Sequence, residues 1–198
     1  VPGPQRRAVR RGRLRERARR PRLPRETLRR RADEVLTHKT AAYTVVQPLV
    51  LGASLADAPQ DLLDGLAAFG LPLGRAFQMR DDVLGVFGDP AVTGKPAGDD
   101  LVQGKRTILV AEVLDRAPTA EAQWFEERLG HTDITAEDIT RMTAIIVDSG
   151  ALAAFEELID RESAAALRAL EALAERGLAS ADVAMLTQFA DALTDRRA

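Results

Sequence analysis

The sequence predicts an all-α protein, and three observations carry that expectation. Ala and Leu dominate while aromatic residues make up 4% of the chain, a balance that favours helix over sheet. Apolar residues recur at spacings of three and four over long stretches, the period of a helix face. Gly, Pro and capping signals then cut the pattern into helix-sized pieces. At 198 residues the chain is long enough for one domain with a real core.

The totals also exclude several chemistries. With no cysteine, disulfides and thiolate metal sites are ruled out. Two well-separated histidines, His38 and His131, do not make a zinc site. A metal would therefore be an oxygen-ligand ion: magnesium, manganese or calcium. No apolar run approaches a membrane span and none resembles a signal peptide, so the expected compartment is the cytoplasm.

The net charge of −2 divides unevenly, +12 over residues 1–31 and −14 over residues 32–198. The first segment holds 14 arginines, is broken by Pro2, Pro4, Pro21 and Pro24, and is expected to be disordered, partly helical or not native to the fold. As a functional arm it would meet nucleic acid or an anionic membrane. It lacks lysine and interleaved aromatics, so no nucleic-acid partner is expected. Residues 32–198 are read as the helical domain.

Helical periodicity begins at Thr27 and continues through Leu28, Ala32, Val35, Leu36, Ala41, Val45 and Leu49, with a kink or break expected just before Pro48. Lys39-Thr40 interrupts this apolar stretch, where a cation calls for an anion or for solvent. Ala58-Pro59 marks a turn, and the next helix is predicted from Gln60 to Phe87 with one broad apolar face and a bend near Pro72. Near its end Gln78, Asp81, Asp82 and Gly85 fall at i, i+3, i+4 and i+7, which predicts both carboxylates and the amide converging on one point. Position i+4 from each aspartate is Gly85 or Val86, not a cation, which favours an external one.

Residues 88–104 read as a polar, glycine-rich loop carrying Lys95 and Asp99-Asp100, followed by Lys105-Arg106. Acids beside isolated cations suit a magnesium-diphosphate site. The GKRT run is not a nucleotide P-loop: Arg106 stands where Ser or Thr is needed, and no strand precedes it. Further helices are expected over 107–116, 121–129 around Trp124 and Phe125, from the capping pattern at Thr135 to Asp148, from Gly150 to Arg176, and from Ser180 to Thr194. Their apolar stripes read as core.

KTAAYTVVQPLVLGA, FQMRDDVLG and GDPAVTGKPAGDDLVQGKRT, in that order and spacing, resemble the trans-type isoprenyl diphosphate synthases. The resemblance runs from about Leu36 to the C-terminus. It implies a long-helix isoprenoid synthase-type bundle around an apolar cavity, commonly a homodimer. It also implies magnesium, or manganese, as cofactor and allylic and isopentenyl diphosphates as substrates. Carried over by motif, Lys39 and Lys95 would grip the allylic diphosphate, and Thr40 and Gln78 would line its chain near the reacting carbon. Asp81 would ligate the metal with Asp82 in support, Asp100 would orient water or lysine there, and Lys105 would close over the diphosphate.

Gly85 stands where many members carry a third aspartate. The family's first aspartate-rich motif and N-terminal helices have no counterpart in residues 1–35. The expectation is a prenyltransferase chain truncated or frameshifted at its N-terminus; the alternative is a non-catalytic binding or regulatory subunit that partners a complete synthase.

Overall fold

A computed structural model describes residues 24–94 and 96–194 of the chain. Expectations for residues 1–23 and for Lys95 lie outside the described residues. Among the described residues the secondary structure is helical, with no strand.

Helix α1 (Arg25–Val35) opens behind Pro24 and runs without a break into a wider i→i+5 stretch, Leu36–Val46, and then into α2 (Gln47–Leu55). The compositional boundary at residue 31 therefore falls inside α1, whose Leu28 and Ala32 are buried. Pro48 does not break the rod. It sits in the first turn of α2, directly after the widened stretch, so the rod continues past a residue that has no N–H to give the preceding turn.

Helix α3 (Gln60–Phe87) is the axis of the molecule. It passes through Pro72, and its buried residues Leu66, Phe69, Leu73, Ala76, Met79, Val83 and Val86 keep the spacing of one stripe. That stripe meets α9 (Ala151–Glu175), whose Phe155, Ile159, Ala166, Leu170 and Leu173 are buried at the same period. Around this pair pack α6 (Ile108–Arg116), α8 (Ala136–Asp148) and α10 (Ser180–Thr194), with α7 (Thr119–Arg128) lying against α6 and α8.

Thr135 and Asp138 form the predicted capping box of α8. The apolar interior has one cluster around Met79, Val83, Phe125 and Phe155 and another around Phe69, Leu73, Leu170 and Leu186.

Residues 88–104 are not the featureless loop that their polarity suggests. They contain α4 (Pro90–Thr93), started by the Asp89 carboxylate accepting from Ala91 N at 2.8 Å, and α5 (Asp99–Gln103). Helix α5 lies between Gly98 and Gly104, both left-handed, and buries Leu101 and Asp100. Its order comes from contacts distant in sequence, such as Gly98 N donating to Val86 O at 3.1 Å.

Ion pairs tie the outer helices together. Arg75 on α3 reaches Asp33 at 2.8 Å, Thr37 at 2.6 Å and Glu162 at 2.7 Å. The carboxylates of Asp33 and Glu162 outweigh the burial that lowers its pKa and raise it. Buried Glu112 on α6 takes Arg29 from α1 and Arg116 from its own helix.

Candidate functional site

The last turns of α3, helix α5 and the residue just past it bring four of the predicted side chains into one cluster. Asp82 and Asp100 are buried, 7% and 6% exposed, above an apolar floor that includes Val86, Leu101, Val110 and Ile146. Gln78, one turn before Asp82, donates Nε2 to Asp82 Oδ1 at 3.0 Å. Lys105, just past α5, pairs through Nζ with Asp100, while its backbone N donates to Asp100 O at 3.0 Å.

Two buried carboxylates sharing one cation leave a charge that must be managed. Burial pushes the Asp82 carboxyl up to about 7, helped by the charges of Asp100 and Asp81 and opposed by Gln78 and Lys105. Burial alone lowers Lys105, but the Asp100 hydrogen bond and charge, then Asp82 and Asp99, raise it above the ordinary lysine value.

Gly85 follows from the same packing. A Cβ there would stand 2.5 Å from Asp100 Cγ, so the space of a side chain at this position is already filled by the Asp100 carboxylate. A third aspartate would collide with Asp100 and add another charge to the buried pair.

The predicted convergence of both adjacent aspartates needs correction. Asp81 is exposed, whereas Asp82 points inward. Successive residues on a helix are turned by about 100°, so the stripe that buries Asp82 leaves Asp81 to solvent. The pair thus offers one outward oxygen donor and one inward anchor.

Lys39 and Thr40 lie on the widened stretch that packs along α3, Lys39 exposed and Thr40 half-buried. Among the described residues Lys39 makes no ion pair. Thr107 is legible in the sequence only as a helix start. It caps α6 by accepting from Val110 N at 3.4 Å and also lines the wall beneath Asp82, Asp100 and Lys105. Its place at the end of GKRT was the available signal.

Among the described residues no group of three or more carboxylate or imidazole ligands is gathered for a metal. The donor set still suits magnesium of one kind, held by one or two carboxylates and completed by substrate phosphates. No described helix is long and apolar enough to cross a membrane.

Residues 24–146 match the model of the Polyprenyl synthetase family. Over 132 residues the chain is 37% identical to geranylgeranyl diphosphate synthase of Mycobacterium tuberculosis, covering 67% of this chain and 37% of that protein. It is 42% identical over 102 residues to geranylfarnesyl diphosphate synthase of Aeropyrum pernix, covering 52% of this chain and 31% of that one.

The fold superposes with a TM-score of 0.80 and 41% identity on geranylgeranyl pyrophosphate synthase of Corynebacterium glutamicum, solved with isoprenyl diphosphate and magnesium, over 85% of this chain and 47% of that one. The chain therefore spans about a third to a half of the length of these proteins. With the family match covering more than half of the chain, and the all-α isoprenoid synthase fold shared with solved synthases, the chain belongs to the polyprenyl synthetase family.

Proposed function

We propose that the chain carries the allylic-diphosphate side of a prenyltransferase that condenses an allylic diphosphate with isopentenyl diphosphate. The observation that carries this reading is the cluster of Gln78, Asp82, Asp100 and Lys105 beside the outward carboxylate of Asp81. A 41% identical fold solved with magnesium and isoprenyl diphosphate supports it.

In this reading Asp81 would ligate magnesium together with the diphosphate, Asp82 would support that site, and Asp100 would orient water or Lys105 there. Bound there, magnesium would offset the negative charge of the diphosphate. Lys105 closes over the diphosphate, Lys39 reaches it from the widened stretch, and Lys95 is assigned to it by motif. Thr40 and Gln78 flank the reacting carbon. The allylic C–O bond breaks with its electron pair leaving on diphosphate, and the lysines neutralise that charge. The cation alkylates the double bond of isopentenyl diphosphate, and the departing diphosphate takes the proton.

A second reading, a subunit that binds and partners a complete synthase, draws on a different observation. The apolar helix α2 buries none of its residues, and Tyr43, Leu51 and Leu55 are 71%, 60% and 79% exposed. Such a surface suits association, as a homodimer or a heteromer.

Calorimetry with magnesium pyrophosphate tests the site. Asp81→Ala should weaken binding about tenfold, as expected for a lost charge-assisted ligand. Asp138→Ala, which removes the α8 capping carboxylate, should leave affinity unchanged. Equal effects would sink the site assignment. A magnesium-dependent prenyl transfer assay separates the two readings: product from the chain alone excludes the non-catalytic one, and product only with a full-length partner supports it.

A further inference from the structure

We propose that Gly130, remote from the site in sequence, is a positioning residue for Lys105; the proposal rests on the diphosphate-binding reading above. Lys105 is 43% exposed on its side chain, so packing of that side chain does little to fix where its ammonium sits. Its ion pair with Asp100 fixes it at one end, and the backbone from which it starts fixes it at the other. Helix α5 ends at Gly104 with φ 67°, and the chain turns there so that Lys105 N meets Asp100 O.

That turn is braced by a second strand of chain. Beyond α7 the backbone reaches Gly130, also left-handed with φ 70°, and crosses directly over Gly104. Gly130 N donates to Leu101 O at 2.9 Å, and Gly104 N donates to the same carbonyl at 3.1 Å. One acceptor, on a residue 1% exposed, thus holds both chains.

The crossing tolerates only glycine on each side. A Cβ on Gly104 would stand 2.8 Å from Gly130 Cα, and one on Gly130 would stand 2.7 Å from Gly104 Cα. These are backbone atoms, with no flexible side-chain end to move aside. Any side chain at Gly130 pushes Gly104 away, and the next residue to move is Lys105.

The test compares Gly130→Ala with Gly177→Ala. Gly177 is likewise left-handed, with φ 99°, but nothing lies within 4 Å of its would-be Cβ. Both variants carry backbone strain; only Gly130→Ala displaces a neighbour. Gly130→Ala should lose magnesium pyrophosphate affinity about tenfold, the scale of a charge-assisted hydrogen bond moved out of reach, and Gly177→Ala should lose none. In a Lys105→Ala background Gly130→Ala should cause no further loss, because the effect passes through that ammonium.

An additive loss in that background, or full affinity in Gly130→Ala, overturns the proposal while leaving the site reading intact. No binding by the unaltered chain overturns the site reading itself. Hydrogen exchange on the unaltered chain serves if Gly130→Ala does not fold. Magnesium pyrophosphate should slow exchange at the Gly130 and Lys105 amides together, and protection of Lys105 without Gly130 would overturn the proposal.

Discussion

The two flanks of α3 are written in the same apolar alphabet and meet different fates. Towards α6, α8 and α9 the residues are closed off: Met79, Val83, Phe155 and Ile159 are 1%, 3%, 0% and 1% exposed. Towards the widened stretch and α2 the cover thins, from Val45 at 3% to Leu51 at 60% and Leu55 at 79%. Periodicity announces a helix with an apolar face, but it does not say what covers that face. The carboxylates divide in a similar way, with Asp82 drawn into the packed interior and Asp81 left to solvent.

The sharpest way to break this contrast is to truncate one residue on each flank. Phe155→Ala should cost about 3–5 kcal/mol of stability, the sum of lost transfer energy and a cavity that close-packed neighbours only partly refill. Leu55→Ala should stay within about 0.5 kcal/mol, since little area leaves water when that residue folds. Urea denaturation of the two variants measures both. A large loss at Leu55 would mean that α2 is covered in solution.

The next effect depends on pH. The Asp82 carboxyl is raised from 3.8 to about 7, so folding favours its protonated form. Its contribution is fully favourable below the unfolded value of 3.8 and is lost as pH rises through about 7. Above that range the buried charge costs on the order of 4 kcal/mol. Asp82→Asn should therefore be more stable than the unaltered chain at pH 8, with the gap closing towards pH 4. Thermal melts across that range that show a constant gap would contradict a carboxylate whose burial outweighs Gln78 and Lys105.

Arg75 joins the flanks, because its partners lie on both: Glu162 on α9, Asp33 on α1 and Thr37 on the widened stretch. Its side chain is 18% exposed, whereas that of Asp33 is 49% exposed, so solvent weakens part of the network. Arg75→Met keeps most of the apolar stem and strands the carboxylates, at a cost of about 2 kcal/mol. A neutral result in urea denaturation would mean that apolar contact alone holds the open flank.

Much of this was legible in the sequence. The spacing of Leu66, Phe69, Leu73 and Ala76 reveals α3, and Thr135 with Asp138 reveals the start of α8. The order of Asp81-Asp82, Asp99-Asp100 and Lys105 singles out the candidate site, of which Asp82, Asp100 and Lys105 line one pocket. Less legible was anything decided by distant contacts. Helix α5 is five residues long and exists because Val86 and Leu101 give it anchors. Gly130 carries no motif, and its importance appears only where two backbones cross.

The smallest effect on stability tests the open flank most directly. Leu51 and Leu55 lie one turn apart on α2, and Leu51 borders a groove formed with Val46, Val50 and Ala67. Replacing both leucines with glutamine keeps the helix propensity nearly unchanged, and the stability of the isolated chain should move by less than about 0.5 kcal/mol. Association should respond far more, because an exposed apolar face drives it and two amides on that face oppose it. Sedimentation over a range of concentrations should show self-association of the unaltered chain fall in Leu51→Gln/Leu55→Gln. If both chains sediment alike, α2 is not the associating surface, and the exposed leucines are scattered apolar residues of an ordinary protein exterior.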